Sequence, residues 1–575
     1  MRQSTRRWDA IVVGGGHNGL TAGAILARSG LETLVLERRE IIGGSCVTEE
    51  ISPGCRASTT SYIASMLRPE VIRALELGRH GLRMVPCKPA LQVALEGGRV
   101  VAHWSDDNQT AAELERYSRR DARAFVAANV ELRQLAARLQ PLFMELPPDT
   151  RAGSVRRFTE LARVGRRLLG TTGRDVEGLT RILTGSLGQF IDSHFESEEA
   201  KALLLANNLY GKHGGPYQPG TLVGLVFHLL TGGEGEEQGF FGHVMGGMGS
   251  ISAAIASAGR SHGLEVRTSS EVDHVVVTDG RARGVVLADG TELACTTVLS
   301  GADPKRTFLH LVDKAELPDD FRAAVAAIKM DGPSAKVNLV LDAEPQLIGM
   351  PAGADAGRRS LFTLPPGLAE ADRCYDRSKR GELAEARELF IDCVVASNVD
   401  SSLAPEGMHV MTCFVQYVPY RLAAGTWDQR RDELGDLVIG RIGQFAPNVP
   451  GAVVARQVLT PLDLERTYGL TEGNIFHGDV APDQLFHMRP VPGWARYRTP
   501  VTGLYLCGAG AHPGGGVTGA PGYNAAQRVL ADLRRGSHGW GAGTASSRSS
   551  GRPRQSTGGG TGGPAGTGRK TRAVA

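Results

Sequence analysis

The stretch DAIVVGGGHNGLTAGAILARSGLETLVLERR limits the fold of this chain more than any other. Ala10 to Val13 reads as a short buried strand, Leu20 to Arg28 as a helix rich in alanine and leucine, and Thr33 to Leu36 as a second strand. Gly14, Gly16 and Gly19 stand between strand and helix in G-x-G-x-x-G spacing. Gly14 permits the tight turn, Gly16 lets backbone N–H groups approach a diphosphate, and Gly19 lets the helix pack close to the strand. The helix N-terminus adds unpaired N–H groups and a partial positive charge. Glu37 ends the second strand, 18 residues after Gly19, where a carboxylate accepts hydrogen bonds from ribose hydroxyls. The whole unit in register predicts dinucleotide binding on a discontinuous Rossmann-like domain of an α/β protein.

Glu37 repels the 2′-phosphate of NADP and suits both NAD and FAD. Gly43-Gly44 follows one loop later, where a second glycine pair lets backbone meet the diphosphate from the other side. Arg38 and Val272 are counted with these as cofactor-binding positions. There is no second G-x-G-x-x-G unit with its acid, so FAD is favoured over a pair of dinucleotides.

Late in the chain, LYLCGAGAHPGGGVTGAPGYNAA runs from Leu504 to Ala526. It opens like a buried strand and closes like a helix beginning near Thr518. Gly508 and Gly510 are expected to pass close to the FAD diphosphate. Gly514 to Gly516, with Val517, are expected to face the flavin ring with bare backbone. The helix dipole would then meet the edge of the flavin that becomes negative on reduction. His512 is the candidate catalytic residue, and the competing reading is a histidine that hydrogen-bonds backbone to shape the loop. His17 reads as a turn residue.

The segments expected from pattern and turn signals are 8–106, 236–310 and 491–535 for the FAD domain, 107–235 for a helical cap, and 311–490 for a substrate domain. Residues 272–287 read as a β-meander turning at Asp279-Gly280 and Asp289-Gly290. AKVNLVLD and MHVMTCFVQYV read as strands of an antiparallel sheet. Leu222 to Leu230 reads as a core helix, and Glu234, Glu236 and Glu237 as a solvated loop. Residues 536–575, rich in glycine, carry six basic and no acidic side chains and read as a disordered tail. Without them the formal charge of +3 turns mildly negative, which argues against nucleic acid as a partner. The eight cysteines form neither a CxxC pair nor a metal-like cluster, so reduced thiols and no metal are expected. No secretory signal or membrane span is read, and no long basic amphipathic helix apart from the tail. Peripheral membrane contact stays open on this reading.

VVGGGHNGLTAGAILARSGLETLVLERR, GGSCVTEEISPG, GNIFHGDVAPDQLFHMRPVPG and the glycine-dense stretch together resemble the phytoene-desaturase-like FAD oxidoreductases, over about residues 8 to 533. The resemblance implies non-covalent FAD, a discontinuous FAD domain and dehydrogenation of a small apolar substrate. For eukaryotic relatives it implies the mitochondrial matrix, a role in mitochondrial function and a respiratory protein partner. An alanine-, glycine- and arginine-rich composition points to a bacterial source and hence to cytoplasm. The alternatives are a flavin amine oxidase, for which an aromatic pair beside the flavin is expected, and a regulatory protein that keeps FAD for stability. The electron acceptor, whether oxygen, quinone or NAD, has no signature in the sequence.

Overall fold

The computed structural model describes residues 2–3, 6–168, 173–211, 214–225, 227 and 241–536. The glycine-rich tail, the acidic loop and part of the Leu222–Leu230 helix expected from sequence lie outside these residues. The chain divides into two compact units, Met1–Leu530 and Ala531–Ala575. The first holds the two large sheets.

The nucleotide sheet begins with β1 (Trp8–Val13), α1 (His17–Arg28) and β2 (Thr33–Leu36). Ile11, Val12, Leu34 and Val35 are fully buried, as strands covered on both faces require. The second sheet starts with β3 (Leu91–Leu95) and β4 (Arg99–His103). A helical layer follows, with α2 (Asp107–Glu115), α3 (Arg119–Leu139), α4 (Ser154–Leu168) and α5 (Gly173–Thr184). Side chains of Asp106 and Ser118 cap α2 and α3 by accepting N–H groups two and three residues on.

The chain then returns to the nucleotide sheet through α6 (Gly249–Arg260), β5 (Glu265–Arg267), β6 (Val272–Thr278), β7 (Arg281–Leu287) and β8 (Thr291–Ser300). β8 is one long strand where the sequence suggested only Thr297 to Ser300. Its first half pairs antiparallel with β7, and its second half runs parallel to β1, Val298 opposite Ile11. The second sheet resumes with β9 (Ser334–Leu341), β10 (Leu361–Leu364), β11 (Phe390–Val395), β12 (His409–Gln416) and β13 (Val453–Leu459). Last come β14 (Leu504–Leu506), parallel to β8, and α7 (Ala520–Gly536).

Strand order is β5-β2-β1-β8-β7-β6 in the nucleotide sheet, with β14 added beside β8, and β13-β9-β12-β11-β10-β3-β4 in the second. Three pieces of sequence thus build one nucleotide sheet. The boundary at 106 is corrected: β3 and β4 pair with each other, and β3 runs beside β10 in the second sheet. Alternating apolar residues give 91–103 a strand pattern, but pairing partners are not written in that pattern. A second correction concerns α4, SVRRFTELARVGRRL. It is a basic amphipathic helix with a stripe of exposed apolar residues.

Candidate active site

A cavity of about 310 Å³ lies where β1, β2 and β8 end, and it reaches to the face of the second sheet. Gly14, Gly16, Gly19, Glu37, Arg38, Gly44, Val272, Gly516 and Val517, all singled out from sequence, line it.

The turn after β1 behaves as its spacing demands. Gly14 holds φ at +98°, which side chains disfavour. A Cβ on Gly19 would drive into the Gly14 carbonyl oxygen. Gly16 is the N-cap of α1 and carries no side chain to satisfy the first N–H groups. Gly43 stands behind this turn, its N–H donating to Gly15 O at 2.8 Å, while Gly44 reaches the cavity. Glu37 is buried at the mouth of the turn, accepting from Gly15 N at 2.8 Å and Arg39 N at 2.9 Å. Arg38 is fixed by donating to the carbonyls of Arg466 and Thr467.

The glycine-dense stretch divides its labour differently from the expectation. Gly508 and Gly510 do not line the cavity. Cβ atoms there would strike Gly301 and Pro304, so these glycines let the stretch pack on the turn after β8, and Ala509 between them forms the wall. Gly516 does face the cavity, with φ +91°. The His17 ring meets the Gly516 carbonyl at 3.2 Å, tying the first glycine turn to the last. Burial lowers the His17 pKa to about 4. The helix begins at Ala520, with the Thr518 hydroxyl accepting the Ala520 N–H.

His512 is the main correction. It is buried, its Nε2 lies 2.8 Å from the Leu142 carbonyl, and its ring packs edge-on against Phe486. It is not among the residues lining the cavity. Burial lowers its pKa to about 4, so it is neutral and shapes the loop.

Side chains that the motifs did not indicate complete the far half. Lys336, on β9, is 2% exposed, and its Nζ has no hydrogen-bond partner among the described residues. It sits 3.9 Å over the Tyr62 ring. Desolvation lowers its pKa to about 7, against the attraction of Cys413 and Asp392. Tyr62 stacks beside Phe414 at 6.1 Å and 23°. Asp392, on β11 and outside the lining, gathers three hydroxyls: Tyr62 at 2.6 Å, Thr363 at 2.7 Å and Tyr210 at 3.3 Å. Burial raises the Asp392 pKa against those donors, and burial followed by Asp392 holds both tyrosine hydroxyls far above their ordinary range. Both phenol rings line the cavity, and their hydroxyls are engaged by Asp392, which lies outside the lining. A lysine inside a strand pattern carries a weak signal: AKVNLVLD places Lys336 in phase with Asn338, and both are buried.

The cavity suits a dinucleotide cofactor chemically. Buried polar atoms without a hydrogen-bond partner among the described residues occur on Arg39, Arg306, Asn18, His477, Ser334 and Lys336, all lining this one cavity. Arg39, ion-paired with Glu49 and lying over the Tyr468 ring, and Arg306 bring guanidinium groups to the same cavity, and bare backbone at Gly14, Gly16 and Gly44 gives a diphosphate room.

The family model for flavin containing amine oxidoreductases matches residues 19–530, and the chain belongs to that family. Pyridine nucleotide-disulfide oxidoreductase domain-containing protein 2 of Rattus norvegicus is 38% identical, across 92% of this chain and 94% of that protein. One of the subunits of limonene dehydrogenase from Castellaniella defragrans is 27% identical, across 92% and 95%. A lycopene-forming phytoene desaturase of Pseudescherichia vulneris is 24% identical, across 91% and 98%. Among solved structures, putrescine oxidase bound to putrescine superposes with a TM-score of 0.57 at 16% identity, covering 93% of this chain and all of that one, a likeness of fold. The protein is a FAD-dependent oxidoreductase, and the resemblance read from its motifs holds.

Proposed function

We propose that the protein dehydrogenates a small apolar molecule, with FAD held non-covalently along the glycine turns. FAD, when bound, supplies a two-electron acceptor. The Gly16 end of α1 would offer N–H groups to its diphosphate, and Arg306, whose Nε has no hydrogen-bond partner among the described residues, would add positive charge in the same cavity. Glu37 keeps lone pairs for ribose hydroxyls beyond the two N–H groups it accepts.

The observation that carries the substrate class is the far half of the cavity. Both tyrosine hydroxyls there donate to Asp392, and the remaining wall is aromatic and aliphatic: Tyr62, Tyr210, Phe414, Ile475 and Phe476. Such walls bind apolar surface and keep water out. One amine, Lys336 Nζ, interrupts them, and near neutral pH it can take up the proton a substrate carbon loses as the two electrons leave. The names of two relatives, for limonene and phytoene, both hydrocarbons, support the same class.

A second reading, amine oxidation, has in its favour the near-parallel Tyr62–Phe414 pair and the family's description as amine oxidoreductases. Anaerobic spectra separate the two. The FAD-loaded protein is mixed with limonene or phytoene in detergent, or with putrescine and other amines. Bleaching of the flavin band by hydrocarbons supports dehydrogenation, and bleaching by amines alone overturns it. We place the protein in the cytoplasm, because all eight cysteines are free and buried.

A further inference from the structure

We propose that the outward face of α4 docks the protein on an anionic bilayer surface. Val155, Phe158 and Leu161 are 81%, 73% and 43% exposed, and the first two exceed every other large apolar side chain among the described residues. At about 100° per residue these three share one stripe with Ala162. Arg157 borders the stripe on one side, and Arg156, Arg163 and Arg166 border it on the other, all exposed. The opposite side of α4 is already engaged. Val164 is buried there, and Glu160 accepts from Asp149 N at 2.6 Å and from Arg496 at 2.8 Å. The stripe is therefore surplus to the packing of the helix.

Charge selects the occupant. Glu160 is the one acid within Ser154–Leu168, and it is paired with Arg156 and Arg496, so the exposed charge of this face is cationic. An apolar stripe edged by arginines on both sides is the pattern of a helix lying in a membrane interface, with guanidinium groups at anionic headgroups. A protein partner is a poorer fit. One stripe of four side chains on a single helix falls short of the roughly 800 Å² that each partner buries in a stable complex.

The face also has a bearing on the substrate, and only this consequence rests on the apolar-substrate reading. An apolar molecule concentrates in a bilayer. Phe143, which closes the turn after α3, meets Phe227 at 6.0 Å, and Phe227 meets Phe476 of the cavity wall at 6.2 Å. Ring contacts thus connect the helical layer with the cavity.

The test uses the full chain and sedimentation with vesicles, which involves neither FAD nor turnover. Vesicles are phosphatidylcholine alone, or phosphatidylcholine with about a third phosphatidylglycerol. The expected result is binding to the anionic vesicles, weakened by salt and by Arg157→Gln with Arg163→Gln. Val155→Ser with Phe158→Ser should weaken it roughly tenfold or more at unchanged melting temperature, since both sites are exposed. Equal binding to phosphatidylcholine alone would overturn the proposal, as would no binding. Binding that the serine double variant leaves intact would overturn it too, assigning attraction to the basic tail. A dimer seen by light scattering and dissolved by that variant would hand the face to a second copy of the chain.

Discussion

Replacing Lys336 with methionine isolates the cost of burying an amine. Burial brings the Lys336 pKa from 10.5 to about 7. The unfolded chain therefore binds an extra proton between those values, and stability rises with pH through that window. Below pH 7 both states are protonated and the whole penalty acts, about 5 kcal/mol for a fall from 10.5 to about 7. Above 10.5 both are neutral and nothing is lost. Between about pH 6 and about pH 9, the native lysine should recover about 3 kcal/mol relative to methionine. Urea unfolding of both proteins at both pH values gives this as a double difference, in which packing changes and other titrations cancel. The variant should gain most at the lower pH. Equal pH dependence in both proteins, or a lysine protein that weakens relative to methionine as pH rises, would refute the burial argument.

Gly19→Ala should prevent FAD retention, because its Cβ meets the Gly14 carbonyl, whereas Gly30→Ala, with open space around it, should keep the flavin spectrum at a cost of about 1 kcal/mol from its positive φ. His512→Gln should leave the rate of flavin reduction within about threefold, since acid–base catalysis contributes at least about a hundredfold where it operates. Arg489 donates to the carbonyls of Ala509, Asp479, Gln484 and Phe476 in a buried fork, so Arg489→Lys should lower thermal stability by roughly 3 kcal/mol and loosen FAD. Asp392→Asn removes a charge that raises the Lys336 pKa, so the acid limb of the pH profile for flavin reduction should move to lower pH.

The glycine turn, the helix after it and Glu37 were legible because each rests on local chemistry. A positive φ, a close helix–strand approach and an acid at a strand end all act within a few tens of residues. The glycine-dense stretch was legible as part of the cavity wall, and Gly516 reaches the cavity. The roles within it were not, because a glycine needed against Pro304 looks the same in sequence as one needed against a ligand. His512 misled for a similar reason: the loop around it is rich in cofactor signals, and only packing turns its ring toward Leu142.

Sequence alone settled the nucleotide fold, because local spacing and hydrophobic pattern act over short reach. Tertiary structure decided the rest. Tyr62, Tyr210, Lys336 and Asp392 are separated by up to 330 residues; strand pairing sets Lys336 and Asp392 in the second sheet, and Tyr62 and Tyr210 reach them from segments outside its strands. Strand pairing likewise gave β3 and β4 to the second sheet, and docking through Glu160 and Val164 turned the apolar stripe of α4 outward. Which face of an amphipathic element is buried depends on what it meets, and a single sequence specifies the pattern without naming the partner.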